Sequence, residues 1–153
     1  MENKNYSFSD EPDEAREDYV TGKLVEFNQP HASPLWKNPP QPRAPLHVYA
    51  TNAQGAVVGG LIGRTNAVPE WLEISVIWVD AAARGQGLGS QLMQRAEDMA
   101  RARGCHFARL STANYQAPGF YEKLGYQRYG TLADFPRGET DYYYSKRLRE
   151  NDD

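Results

Sequence analysis

The stretch that decides the fold reads Trp71-Leu-Glu-Ile-Ser-Val-Ile-Trp-Val79, Asp80-Ala-Ala-Ala83, Arg84-Gly-Gln-Gly-Leu-Gly-Ser90. Its first part is almost wholly apolar and rich in β-branched and aromatic residues, which predicts a central, buried strand. From Leu88 onward, apolar residues recur at helical spacing and predict a long amphipathic helix. The glycines between these elements permit positive φ, so the chain is predicted to turn sharply from the strand into the helix.

The rest of the chain extends this pattern on both sides. Gly104 is predicted to end the helix as a left-handed cap, and Arg101 and Arg103 suit the negative end of the helix dipole. Pro118 and Gly125 bracket a further short helix. The predicted elements around the central strand are a hairpin of residues 46–51 and 56–63 with its turn at 52–55, strands at 107–112, 126–132 and 142–148, and the short helix at 118–124.

The first 45 residues are less regular. Residues 1–18 are acidic with few apolar side chains and predict a mobile acidic tail, with at most one helical turn. Residues 19–27 contain β-branched and aromatic side chains and predict a first strand. Residues 28–45 contain six prolines and predict a loop. This loop, with Trp36 as an apolar anchor, forms either a wall of a substrate cleft or a surface excursion.

The composition is typical of one globular domain spanning residues 1–153. The chain has 17 basic and 20 acidic side chains, a net charge of -3, and therefore no overall attraction for nucleic acid. No apolar run approaches the length of a membrane span, and the acidic N-terminus is unlike a signal peptide. A cytoplasmic protein with no membrane or nucleic-acid partner is predicted, and a homodimer stays open. The one cysteine excludes an internal disulfide.

The glycine segment is a candidate anion site. Amides at the start of a helix lack intrahelical acceptors and lie at the positive end of the dipole, and Arg84 adds a guanidinium suited to phosphate. A tight turn that needs glycine only for its geometry is the alternative. The segment lacks the Gly-Lys-Ser/Thr of a nucleotide P-loop. A dinucleotide site requires an acidic residue some twenty positions later, where Arg109 stands instead.

These residues resemble the GNAT superfamily of N-acetyltransferases, whose motif is Arg or Gln, two residues, Gly, one residue, and Gly or Ala. Arg84, Gly87 and Gly89 match it. A second stretch, from Asn114 to Tyr126, resembles the family's Asn, Ala, Tyr and Gly-aromatic pattern. The resemblance covers residues 46–148 and implies an α/β (α+β) fold with a mixed, mostly antiparallel central sheet flanked by helices, whose central strands splay apart.

The resemblance also implies that acetyl-coenzyme A is the cosubstrate. Main-chain amides of the glycine segment would hold its pyrophosphate, main-chain groups of Ile77 and Val79 would pair with the acetyl and pantetheine part, and Asn114 and Ala117 would line the thiol end. The cofactor-binding residues predicted in this way are Ile77, Val79, Arg84, Gly85, Gln86, Gly87, Leu88, Gly89, Ser90, Asn114 and Ala117.

Acetyl transfer to an amine needs a donor for the leaving thiolate. Tyr121 stands where the family places its general acid; the alternative is a tyrosine that only packs in the core. The amide of Ile77 is the candidate for stabilising the oxyanion.

A protonated amine must also lose a proton before it attacks. Glu73 is the candidate base, since it shares a strand face with Ile77 and Val79 if the alternation is unbroken. An ion-paired Glu73 with water as the base is the alternative, a bulge would reset the alternation, and Glu70 and Asp80 are the remaining carboxylates.

No metal is predicted, because His31, His47 and His106 show no ligand spacing with one another or with Cys105. Cys105 is expected to be a small buried residue rather than a nucleophile. The leading hypothesis is an N-acetyltransferase acting on a small-molecule amine. The alternatives are acetylation of a protein lysine or N-terminus, and a non-catalytic module that binds acyl-coenzyme A. The acceptor is not identifiable from the residues.

Overall fold

The computed structural model describes residues 6–33, 43–66 and 70–150. The chain splits into two compact units, Met1–Pro39 and Pro40–Asp153, and the single domain spanning residues 1–153 stays a prediction.

The first unit contains helix α1, Glu14–Asn28, so the predicted strand at residues 19–27 is wrong. Asp13 caps the start of the helix, because its carboxylate accepts a hydrogen bond from the Arg16 amide at 3.0 Å, and the acidic residues Glu14 and Glu17 lie in the first turn. Lys23 and Glu26 form an ion pair one turn apart at 2.7 Å. These local signals outweigh the strand propensity of the apolar residues. Residues 14–18, predicted as tail, are the beginning of this helix.

The predicted loop at residues 28–45 is only partly described. Asn28 ends α1, and Ala44 and Pro45 begin the first strand of the second unit. Trp36 lies outside the described residues, so its role beside a substrate cleft stays a prediction.

The second unit follows the predicted order of elements. Its boundaries agree with the predicted hairpin, central strand and helices to within a few residues. The elements are β1 (Ala44–Thr51), β2 (Val57–Asn66), β3 (Trp71–Val79), a short 3-10 helix (Ala81–Ala83), α2 (Leu88–Ala102), β4 (Phe107–Ala113), α3 (Pro118–Lys123), β5 (Gln127–Ala133) and β6 (Thr140–Arg147).

The six strands form one mixed sheet in the order β1-β2-β3-β4-β6-β5. All neighbours are antiparallel except β3 and β4, and β3 is an interior strand, as predicted. The mostly antiparallel sheet with flanking helices confirms the predicted fold class. No helix among the described residues is both long and apolar enough to span a bilayer.

The core lies between one sheet face and helix α2. Leu92, Met93, Ala96 and Ala100 form the buried stripe of α2, as its helical spacing predicts. The strands contribute Leu46, Leu61, Leu72, Ile74, Ala108 and Leu110 to the same core. Gly104 has a φ of +88° and follows the last turn of α2, which confirms the predicted left-handed cap.

A β-bulge interrupts β3 at Ser75. Ile62 is paired with Val76 while Gly63 is paired with Ile74, so Ser75 has no partner on β2. Before the bulge, Leu72 and Ile74 face the core, whereas after it Ile77 and Val79 do. Because of this extra residue, the even-numbered residues of β3 face the core before the bulge and the odd-numbered residues face it after the bulge.

The parallel pair of β3 and β4 is short. Pairing runs from Trp71 with Phe107 to Ile74 with Leu110 and then stops. Beyond this point β4 pairs only with β6, as far as Ala113 with Asp141. The remainder of β3 is thus splayed from β4, as the resemblance implied.

Gly63 lies opposite the bulge, and a side chain there should strain the sheet. A Cβ at Gly63 would lie 2.7 Å from the main-chain oxygen of Glu73 and 3.4 Å from that of Leu46. We expect Gly63→Ala to lower the free energy of unfolding by about 1–3 kcal/mol. Gly130→Ala is the matched strand control, since nothing lies within 4 Å of its Cβ position. Urea unfolding measures both, and equal midpoints for the two variants would contradict the assignment.

Candidate active site

A cavity of about 860 Å³ opens where β3 and β4 splay apart. One wall is the end of β3, another is the turn into α2, and the third is the segment from the end of β4 to α3. The lining residues are Ser75, Val76, Ile77, Trp78, Val79, Ala83, Arg84, Gly85, Gly87, Leu88, Gly89, Ser90, Ser111, Tyr115, Gln116, Ala117, Phe120 and Tyr121.

The main chain of β3 presents hydrogen-bonding groups to this cavity. The Asp80 amide donates to the Val58 carbonyl at 2.9 Å, so Asp80 is directed toward β2. Main-chain groups of alternate strand residues point to opposite sides, and those of Ile77 and Val79 therefore point away from β2 toward the splay. Arg84 Nε donates to the Val79 carbonyl from that side at 3.1 Å. The main chain of Ile77 and the amide of Val79 thus face the cavity without a strand partner, whereas the Val79 carbonyl is bound by Arg84.

The glycine turn delivers a second set of donors. Gly85 and Gly87 both have a φ of +74°, which residues with a Cβ adopt only at a cost. Leu88 begins α2, so the first amides of the helix have no intrahelical acceptor and lie at the positive end of its dipole. The Nε of Arg84 is bound to Val79, which anchors its guanidinium at the cavity wall.

Gly89 joins this turn to α3 by close packing. A Cβ at Gly89 would lie 3.2 Å from Cζ of Phe120, a distance tighter than ordinary van der Waals contact. Phe120 precedes Tyr121, and the two rings meet edge to face with centroids 5.2 Å apart. The start of α2 and the helix that carries Tyr121 are therefore packed directly together.

Tyr121 lies deep in the cavity wall with 8% of its surface exposed. Its ring packs against Tyr126 and Tyr144. Its hydroxyl forms no hydrogen bond with the described part of the chain, whereas the hydroxyls of Tyr126 and Tyr144 are bound to Glu97 and Glu122. Burial raises the pKa of Tyr121. The hydroxyl is consequently protonated near neutral pH and is free to donate to a ligand.

Two predicted cofactor residues, Gln86 and Asn114, are not among those that line the cavity. The Asn114 amide donates to the Thr140 carbonyl at 2.9 Å, and its side chain accepts from the Thr140 amide at 3.3 Å. Asn114 therefore holds the end of β6. Gln116 lines the cavity, and its Oε1 accepts from Thr112 Oγ1 at 2.8 Å and from the Ala113 amide at 2.9 Å.

Glu73 lies on the sheet face opposite Ile77 and Val79, so the expectation that the three share a face is wrong. The bulge at Ser75 is the reason. Glu73 is not a lining residue, and its carboxylate is bound by Arg64 on β2, at 2.6 Å from Nε, and by Arg109 on β4. Burial would raise the pKa of Glu73, but the hydrogen bonds and charges of these two arginines outweigh it and hold the pKa below its usual value.

The other carboxylates considered as bases have structural partners. Asp80 caps the 3-10 helix by accepting from the Ala82 amide at 3.0 Å. Glu70 lies 3.8 Å from His106 Nε2. Cys105 is buried away from the cavity lining, and burial raises the pKa of its thiol. No group of three potential metal ligands occurs within residues 6–33, 43–66 and 70–150.

Several lining residues escaped the sequence analysis. Trp78 and Val76 face the solvent side of β3 only because of the bulge, which no residue pattern in β3 reveals apart from the polar Ser75 in an apolar strand. The second motif contains Tyr115, Gln116 and Phe120. Their closeness to Tyr121 in the sequence is a signal that marks them as candidate lining residues.

The chain matches the family model described as the acetyltransferase (GNAT) family over residues 8–126. It is 42% identical over 118 residues to blasticidin-S acetyltransferase of Streptomyces morookaense, spanning 74% of this chain and 85% of that protein. It is 32% identical over 144 residues to acetyltransferase Atu2258 of Agrobacterium fabrum, spanning 94% and 99%. A crystal structure of an acetyltransferase from Bacillus cereus superposes with a TM-score of 0.75 at 29% identity, covering 92% of this chain and 97% of that one.

The ion pairs of Glu73 predict how stability depends on pH. Because its pKa is lower in the folded chain than in the unfolded chain, its contribution is complete above the unfolded pKa and is lost as the pH falls through the folded pKa. We expect Glu73→Gln to lower the free energy of unfolding by roughly 1 kcal/mol near neutral pH, because solvent screens the half-exposed arginines. The deficit should shrink in acid.

Urea unfolding over a pH series measures this deficit. Glu26→Gln is the control, since Glu26 forms an exposed ion pair with Lys23 and should cost little at any pH. A Glu73→Gln deficit that is independent of pH would contradict the assignment.

Proposed function

The chain belongs to the GNAT acetyltransferase family, and from this premise we propose that it is a cytoplasmic N-acetyltransferase that moves the acetyl group of acetyl-coenzyme A directly onto a primary amine of a small molecule. The observation that carries the proposal is the cavity at the splay, where unpaired main-chain groups of β3, the positive end of α2 and the hydroxyl of Tyr121 converge.

The residues of the cavity fit the coenzyme. The main chain of Ile77 and the amide of Val79 face the cavity with no strand partner and can pair with an extended amide chain. The amides that follow Gly87, together with Arg84, suit a pyrophosphate. Bound acetyl-coenzyme A supplies the acetyl group as a thioester. Direct transfer is favoured because Cys105 is buried and does not line the cavity.

We assign Tyr121 as the general acid. Burial raises the pKa of Tyr121, so the hydroxyl keeps its proton near neutral pH and can donate it to the sulfur as the carbon–sulfur bond of the tetrahedral intermediate breaks. Its ring is fixed by packing against neighbouring aromatic rings, so the hydroxyl is preorganised. The Ile77 amide, directed into the splay, is the candidate donor for charge that develops on the acetyl oxygen.

Water is the better candidate than Glu73 for accepting the proton of the amine. A carboxylate that is bound by two guanidinium groups and has a lowered pKa is a weak base. Its side chain also lies outside the cavity lining. The open side of the cavity gives solvent access to the amine.

A small-molecule acceptor is supported by the relative named blasticidin-S acetyltransferase, which is similar over 74% of the chain. A protein amine is the competing acceptor, and a panel of small amines and peptides assayed for thiol release distinguishes the two. A non-catalytic binding module would release no thiol with any of them.

Binding of the coenzyme should depend on Gly87. A side chain at Gly87 would project into open space in the cavity and block the pyrophosphate. A ligand at about a hundred times its Kd contributes about 2.7 kcal/mol of stability, so we expect acetyl-coenzyme A to raise the Tm by roughly 5–10 °C in wild type. Gly87→Val should abolish this rise.

Gly55→Val is the matched control for backbone strain. Gly55 has a φ of +81° and, like Gly87, nothing within 4 Å of its Cβ position, but it lies in the hairpin turn. Its variant should lose intrinsic stability and keep the full ligand-induced rise. Wild-type coenzyme affinity in folded Gly87→Val would remove the glycine turn from the site.

Turnover should depend on the hydroxyl of Tyr121. Tyr121→Phe keeps the ring and its packing, so stability and coenzyme affinity should change little while kcat falls by about a hundredfold or more. Single-turnover measurement prevents slow product release from hiding the effect. Tyr129→Phe, an exposed tyrosine on β5, is the control. Undiminished single-turnover chemistry in Tyr121→Phe would show that the thiolate is protonated by another group.

A further inference from the structure

A row of three charged side chains crosses the sheet face opposite α2. Arg64 on β2, Glu73 on β3 and Arg109 on β4 are direct cross-strand neighbours. Glu73 Oε2 accepts from Arg64 Nε at 2.6 Å, and Glu73 Oε1 accepts from a terminal nitrogen of Arg109. The arrangement is a carboxylate held between two guanidinium groups.

This row has an excess of positive charge. Glu73 is the sole carboxylate that forms an ion pair with either arginine among the described residues. Its side chain is 11% exposed, whereas those of Arg64 and Arg109 are 42% and 52% exposed. A guanidinium has five N–H donors and can bind two carboxylates on different edges. Both arginines therefore keep donors that face solvent.

The row lies directly beside the cavity. Glu73 and Arg109 precede the last paired residues of β3 and β4. Ser111 lies two residues beyond Arg109 on the same face of β4 and lines the cavity. Residues two apart on a strand are separated by about 6.5–7 Å. An acceptor whose amine enters the splay can thus reach the guanidinium groups with a short carbon chain.

We infer that Arg64 and Arg109 form a subsite for a carboxylate of the acceptor, so that the substrate is an amine that also carries a carboxylate. The inference rests on the proposed acetyl transfer for the fate of the amine, but the binding of the carboxylate does not. Planar guanidinium groups match a planar carboxylate through paired hydrogen bonds. Glu73 acts as a positioning residue, because it holds both guanidinium groups in place and leaves their outer edges free.

Matched acceptors test this subsite. We would assay ω-amino carboxylic acids of increasing chain length, each paired with its own carboxamide, with acetyl-coenzyme A and thiol release as the readout. The acid should exceed the amide in kcat/KM by about tenfold at the preferred length, the size of effect that a charged hydrogen bond supplies. Equal values, or a preference for the amide, at every length would overturn the inference.

Substitutions then locate the effect. Arg64→Gln and Arg109→Gln should each reduce the ratio of acid to amide several-fold, through KM. Arg95→Gln, which removes an exposed arginine on α2, is the charge-matched control and should keep the wild-type ratio. Glu73→Gln should lower the ratio, because the two guanidinium groups lose the carboxylate that holds them in place. A fall in kcat with acid and amide alike, at an unchanged ratio, would instead make Glu73 part of the proton transfer and contradict its role here.

Binding without turnover separates this inference from the proposed function. Side-chain NMR of the arginine Nε–H groups in the coenzyme A complex would be followed as an ω-amino acid or its carboxamide is added. Shifts of Arg64 and Arg109 with the acid alone support the subsite, even if no acceptor is acetylated, in which case the proposed transfer fails and the subsite stands. The absence of shifts with every acid at saturation would overturn the subsite while leaving acetyl transfer to other amines intact.

Discussion

The early end of pairing between β3 and β4 is the constraint on which the site depends. Parallel strands usually pair along their whole length, because unpaired main-chain groups in the interior are costly. Here the pairing stops after Ile74 and Leu110, and β4 continues with β6 as its partner. The end of β3 therefore has an unpaired edge, although β3 is an interior strand of the sheet. A ligand that offers amide groups in an extended chain can complete this edge as a strand would.

The bulge at Ser75 determines which side chains of β3 lie on each face of the sheet. It directs the side chains of Ile77 and Val79 into the core while their main chain serves the cavity. It leaves Glu73 on the other face between Arg64 and Arg109. One extra residue in β3 therefore separates the coenzyme side from the side on which we place the acceptor, and Gly63 makes room for the distortion.

The sequence predicted those features that local physics decides. The apolar run of β3, the periodic stripe of α2 and the glycines around Gly87 specify their elements by themselves. Residues 19–27 are helical despite their strand propensity, because the Asp13 cap and the local ion pair favour a helix. The face of Glu73 was not predictable, since a bulge depends on the register with β2. The place of Asn114 was not predictable either, because its hydrogen-bond partner Thr140 lies 26 residues away in the sequence.

The contact between Gly89 and Phe120 has an evolutionary consequence. Any side chain at position 89 would push against the Phe120 ring, and that ring immediately precedes Tyr121 and packs on it. A substitution at either position therefore disturbs both the glycine turn and the helix that carries Tyr121, so the two residues should change together in evolution. Within the described part of the chain, the row of Arg64, Glu73 and Arg109 on the opposite sheet face is not coupled to the coenzyme side by a packing contact of this kind. If the row binds the acceptor as inferred, substitutions there can change the acceptor without disturbing the packed start of α2.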